Sequence, residues 1–250
     1  MATTPAVEQR GFGATLRKDA WWLQPVATAA GLSAFVVYST WAAFQGKNYE
    51  WGPYLSPMYS PTFTFSAFGY AVSPAILILW APACFRATCY YYRKAYYRAF
   101  FLDPAACAVE ESGKKSYCGE TKFRFILQNL HRYFTYIALV FLVFLWYDAI
   151  KSYNFDGRFG IGVGSLVLTA NAALLSGFTL GCHALRHLVG GKLDTFHGGS
   201  CAMRHSCWKG VTFLNHRHML WAWVSLFWVG FADFYVRMLA TGTFTDMRLF

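Results

Sequence analysis

Five stretches of this chain are long and oily enough to cross a lipid bilayer, and that pattern restricts the fold more than any other feature. Spanning the hydrocarbon core takes roughly 20 mostly apolar residues in a helix. The stretches run over residues 24–44, 68–91, 130–148, 161–185 and 214–236. The connections between them are too short for a soluble domain, and no internal repeat or low-complexity tract is visible. Composition agrees. Only 14% of the residues are charged and 56% are hydrophobic, where soluble domains carry about 25% charged residues. The expected fold is an all-α integral membrane protein, one domain over residues 1–250, with five transmembrane helices in a bundle. Pro74 and Pro82 are expected to kink the second helix, which neighbouring helices make tolerable. The first twenty residues are polar and include Glu8, Arg10, Arg17 and Lys18. No cleavable leader is therefore expected, and the helices themselves should drive insertion.

Positive charge sets the orientation of such a bundle. Counted outside the spans and at their ends, Lys and Arg number three in the N-terminal segment, nine around the second-to-third connection and five around the fourth-to-fifth. The opposite side has one after the first helix, two after the third and two at the C-terminus. The N-terminus is thus expected in the cytoplasm and the C-terminus outside. The longest cytoplasmic connection carries an Asp103–Pro104 break and the polar run "EESGKKSYCGE".

With that orientation, all seven histidines and all seven cysteines fall at or near the cytoplasmic side. A reducing compartment makes structural disulfides improbable there, so thiols beside imidazoles point to metal ligation. Cys89 lies near the end of the second span and His131 at the start of the third. Cys182, His183 and His187 finish the fourth, and His216 and His218 open the fifth. At about 1.5 Å rise per residue, each is within a few turns of its helix end. Four helices deliver sulfur and imidazole to one layer. His183 and His187 share a helix face, whereas Cys182 and His183 point about 100° apart, so the site must be assembled across helices. Cys84 is read as a small buried hydrophobe. His197, Cys201, His205 and Cys207 are read as part of a Gly/Ser-rich loop that holds ligands poorly, with Cys118 similar and Cys107 ambiguous.

Three cofactors are compatible with the layer. Two histidines from different helices suit a haem b; two histidines and two cysteines suit a Rieske-type [2Fe–2S] cluster. Zinc ranks third, because its usual short Cys-x-x-Cys loop is missing. A bis-histidine haem has no use for cysteine, which favours the cluster, with Cys89 and Cys182 and two of His131, His183, His187 and His218 as expected ligands. Beside them lies "CFRATCYYYRKAYYRAFF", Cys84 to Phe101. Most of it reads as an interfacial aromatic belt with snorkelling cations. Arg86, however, sits inside the hydrocarbon boundary, where a cation costs up to about 2.5–3.5 kcal/mol. With Arg132, Tyr90 and Tyr133 it is expected to line a polar pocket at quinone-headgroup height. Asp148 and Asp233 read as outer interface markers, and Asn171 as a helix-to-helix hydrogen bonder. A transporter is disfavoured, since the midplane is nearly bare of ionisable groups and repeats are lacking.

The succession "LRKDAWWLQP", "RATCYYYRKAYYRAFF", "ETKFRFILQNLHRYF", "CHALRHLVGG" and "NHRHMLWAWVSLFW" resembles the single-chain, five-helix membrane anchor of bacterial succinate dehydrogenase, from Leu16 to the C-terminus. The resemblance implies docking of a flavoprotein subunit and an iron–sulfur subunit on the cytoplasmic face of the bacterial inner membrane. It implies that electrons from succinate pass to a membrane quinone, and that the chain is inactive alone. Two-haem anchors carry histidines near both faces; here none is available outside, so a distal haem is excluded and one proximal haem b is the alternative. The branch this chain resembles implies a Rieske-type [2Fe–2S] centre instead. The net charge of +10 suits anionic lipid and acidic protein partners. No nucleic-acid partner is expected.

Overall fold

The computed structural model describes residues 11–63, 65–67, 70–102, 105–110, 123–191 and 193–250. Cys118, Phe68, the Asp103–Pro104 break and the run after Glu110 lie outside them. Four described helices are long and apolar enough to cross a membrane. These are α1 (Leu23–Gln45), the Asn129–Lys151 part of α5 (Phe123–Lys151), α6 (Val163–Leu180) and α9 (His218–Ala240). At 1.5 Å per residue the 23-residue helices reach about 35 Å, enough for a core of about 30 Å.

The second expected span differs. Instead of one helix over 68–91, the chain forms a hairpin of β3 (Phe65–Ala67) and β4 (Tyr70–Val72), then α2 (Pro74–Ile78), α3 (Trp80–Thr88) and α4 (Tyr90–Phe101). Pro74 opens α2 at the first helical position, where a missing N–H costs nothing. Pro82 has no N–H to offer the Ile78 carbonyl, and the helix breaks at Leu79, four residues after Ala75. The apolar helix Pro74–Thr88 is shorter than the other four.

Two further expected spans also end differently. α6 stops at Leu180, and Cys182 has extended backbone (φ −67°, ψ 139°) before α7 (His183–Gly190). The fifth helix begins at His218, after α8 (Gly199–Asn215). Residues 199–215 are thus helical, not a loop. α8 survives its Gly and Ser content by docking on α7. A Cβ at Gly190 would lie 2.2 Å from the Trp208 ring, so only glycine lets the pair approach, and Arg186 stacks on Trp208 at 4.6 Å.

The bundle closes on itself: α1 packs on α4 and α9, α9 on α6, α6 on α5, and α5 on α3. At Gly177 a Cβ would sit 2.8 Å from the Trp221 ring, which is how α6 and α9 come close. Lipid-facing side chains remain bare; Val37, Phe44, Val143 and Ile150 are each more than two-thirds exposed, as a bilayer permits and water does not.

The end away from α7 and α8 is laced by hairpins and buried carboxylates. β1 (Glu50–Trp51) pairs with β2 (Tyr54–Leu55), and β5 (Asn154–Phe155) with β6 (Arg158–Phe159). Asp156 (φ 51°) and Gly157 (φ 85°) make the second turn, the positive-φ pair that a two-residue hairpin requires. Asp246 accepts hydrogen bonds from Tyr54 (2.6 Å), Tyr235 (2.8 Å) and the Gly164 N–H (3.1 Å). Burial, then the bond to that carboxylate, raises the Tyr54 phenol above its ordinary pKa, so it stays a donor. Asp233, expected as an interface marker, is fully buried. It accepts from Tyr38 (2.6 Å), Ser56 and Arg237 (2.7 Å). Asp148 accepts from Ser60. Asn171 is buried, but its Oδ1 has no partner among the described residues, so the expected helix-to-helix bond to that oxygen is not there.

Candidate functional site

Among the described residues the largest core cluster lies at the α7–α8 end and is organised around two cysteines. Phe85, Cys89, Tyr92, Phe178, Cys182, Ala184, Ala222 and Leu226 form it. Both cysteines are placed by the same local device. Cys89 (φ −60°, ψ 134°) is the extended residue between α3 and α4 and the N-cap of α4; Cys182 holds the equivalent position before α7. Asn215 donates to the Gly181 carbonyl at 2.8 Å and so ties the second break to the end of α8.

A histidine meets each sulfur. Nε2 of His131, on α5, lies 3.0 Å from Sγ of Cys182. Nε2 of His218, the first residue of α9, lies 3.5 Å from Sγ of Cys89. His131 stacks on Phe85 (centroids 4.8 Å, 9°) and His218 on Phe178 (5.0 Å, 16°). Nδ1 of His131 is 3.0 Å from the Thr88 hydroxyl, whereas Nδ1 of His218 is buried with no partner among the described residues. All four side chains line one cavity of about 600 Å³, with Thr88 and Arg93 also in its wall. Among the described residues no three side chains converge on a single ion; the donors come as two cysteine–histidine pairs.

His183 and His187 also border this cavity, but as an exposed pair on α7, Nε2 to Nε2 3.2 Å. His205 stacks on Phe196 and Trp208, and Cys84, Cys107, Cys201 and Cys207 are free thiols outside the cavity wall.

The four residues expected around a quinone divide. Tyr90 and Arg132 line the cysteine–histidine cavity, and Tyr133 is exposed outside it. Arg86 points the other way, into the bundle. It donates to Tyr92, to the Ala222 carbonyl (3.2 Å) and to Ser225 (3.0 Å), and lies 4.5 Å from the Phe178 ring centre. It reaches an apolar groove of about 700 Å³ between α1 and α2–α4, and a smaller cavity of about 150 Å³ inside the bundle. Sequence reasoning missed Thr88 and Phe178; a threonine before "CYYY" and a phenylalanine in the last turn of α6 carry no local mark of such roles.

Residues 23–242 match the family described as actinobacterial succinate dehydrogenase subunit SdhC. Among solved structures, a chain of the Mycobacterium smegmatis Sdh1 complex in the apo form is similar, at 40% identity and a TM-score of 0.85, with 99% of this chain and 97% of that one covered. No curated protein matches. The expected resemblance holds at the level of family. Membership over most of the length, joined to a helical membrane bundle, identifies the chain: it belongs to the actinobacterial succinate dehydrogenase SdhC family and is a membrane-anchor subunit of that enzyme complex.

Proposed function

We propose that this anchor holds a Rieske-type [2Fe–2S] centre among Cys89, Cys182, His131 and His218 and relays electrons from a docked iron–sulfur subunit to a membrane quinone. The observation that carries the reading is the meeting of two buried cysteines with two histidines, from four helical segments, on one cavity. Two cysteines and two histidines are the Rieske donor set; a bis-histidine haem would leave both cysteines unused, and zinc, which takes the same four donors, usually draws its cysteines from a short Cys-x-x-Cys loop that is missing here. The unpartnered Nδ1 of His218 leaves a buried imidazole nitrogen open to a ligand, and metal binding would release the thiol protons. Each contact pairs a cysteine with a histidine, so the set as a whole, not either pair, matches the ligand count. When bound, such a centre supplies one-electron transfer between the soluble subunits and the membrane.

The protein's own residues do the rest. Phe85, Phe178 and Tyr92 exclude water beneath the layer. Arg86 is the headgroup partner. Among the described residues it makes three hydrogen bonds, and a guanidinium carries five N–H donors. The apolar groove beside it suits an isoprenoid tail, and one ring, Phe178, separates its guanidinium from His218. The cysteine–histidine end carries most of the positive charge and so belongs in the cytoplasm, where the flavoprotein and iron–sulfur subunits would dock, in the inner membrane of a bacterium.

Electron paramagnetic resonance on the reduced complex tests this. A rhombic signal of low average g, lost in Cys182→Ser and His131→Ala, is expected. A sharp reduced haem α-band, or no such signal in the wild type, overturns it.

A further inference from the structure

We propose that Thr88 is a positioning residue: its hydroxyl locks His131 in the Nδ1-protonated tautomer and so presents Nε2 as an unprotonated donor toward Cys182. The inference rests on the cluster reading and deepens it. Thr88 ends α3 and is buried. Its Oγ1 lies 2.7 Å from the Cys84 carbonyl oxygen. Two oxygens that close need a hydrogen between them, and a carbonyl has none to give, so the hydroxyl donates to Cys84. A hydroxyl owns one hydrogen. Toward His131 Nδ1, 3.0 Å away, it has only lone pairs to offer, so Nδ1 must carry the N–H that joins them. Neutral imidazole has one N–H; Nε2 is then bare, and it is the atom facing Cys182 Sγ at 3.0 Å.

The rest of the pocket leaves His131 little choice. Phe85 covers one ring face, and the Thr135 hydroxyl donates to the His131 carbonyl at 2.8 Å, pinning its turn of α5. The ring is therefore held in place, and Thr88, together with a backbone contact from Phe85, sets which nitrogen bears the proton. An acceptor on the far ring nitrogen raises the basicity of a ligating histidine, and losing such a partner typically costs 10–100-fold in metal affinity. A more basic ligand favours the oxidised metal, so Thr88 holds the potential of the centre down.

The experiment uses the purified complex with Thr88→Val, which keeps the branched shape and removes the hydroxyl, and Thr88→Ser, which keeps the hydroxyl. The low-average-g signal is followed through a redox titration at fixed pH, and iron retention is followed against a chelator. Thr88→Val should raise the midpoint potential, shift the g-values and lower iron retention by about 10–100-fold; Thr88→Ser should restore all three. If Thr88→Val does not assemble, Thr88→Ala carries the same expectation. Val or Ala variants matching the wild type in potential and g-values overturn the inference, as does a loss that Thr88→Ser fails to restore. A wild-type complex without the signal removes the cluster reading itself, so the two failures are told apart by the unmutated protein.

Discussion

Arg237→Met isolates the energetics of the buried pair that fastens α9 to α1 and to the first hairpin. In the native structure Arg237 donates to Asp233 (2.7 Å), to the Lys47 carbonyl (3.0 Å) and to the Ala42 carbonyl (3.1 Å). Losing the carbonyl bonds is cheap. The Ala42 carbonyl keeps a bond from Tyr59 at 2.6 Å, and Lys47 is exposed. The cost falls on Asp233, fully buried and left with two hydroxyl donors and no cation among the described residues. Stranding one member of such a pair costs about 3–5 kcal/mol. Arg237→Met should cost that much, and Asp233→Asn added to it should recover most of the loss. Neutral Asn still meets Tyr38 and Ser56, which leaves roughly 1–2 kcal/mol of imperfect hydrogen bonding. Reversible unfolding of the purified subunit in mixed micelles, across the double-mutant cycle, measures both. A single-variant cost below about 1 kcal/mol, or a double variant no more stable than the single, refutes the reasoning.

Three further perturbations probe the site. Arg86→Met should raise the KM for quinone by roughly 10–100-fold, the worth of a charged hydrogen bond, with the paramagnetic signal retained; an unchanged KM would put the headgroup elsewhere. His183→Ala and His187→Ala should each leave that signal intact, because the two rings are exposed and bond one another; its loss in either would move that histidine into the ligand set. Gly177→Ala should cost about 1–3 kcal/mol by overpacking against Trp221, read by the same unfolding assay, and a neutral result would mean that α6 and α9 are free to separate.

Much of the fold was legible because hydropathy is a local sum. The first apolar stretch, read as 24–44, is the helix Leu23–Gln45, and the depth argument gathers Cys89, His131, Cys182, His183, His187 and His218 at one end, of which four meet as cysteine–histidine pairs. The errors share a cause. Residues 68–72 are as apolar as a helix, yet Tyr70–Val72 pairs as a strand with Phe65–Ala67, and a short apolar run does not distinguish the two. The Gly/Ser content of residues 199–215 suggested a loop, but α8 is held by Trp208 against Gly190 across the hairpin, a contact its own composition does not contain. The Asp156–Gly157 turn, by contrast, was there to be read.

By itself the sequence determined a membrane bundle, the end of it rich in cations, and the chemical kinds of donor gathered there. Only the tertiary structure decided which donors meet. His131 reaches Cys182 across 51 residues of chain and His218 reaches Cys89 across 129, while His183 and His187, in the turns just after Cys182, face each other instead. The physical reason is that the extended backbone at Cys89 and Cys182 turns each sulfur out of its helix's register. Its neighbour is then chosen by how α5 and α9 pack against α3 and α6, not by distance along the chain.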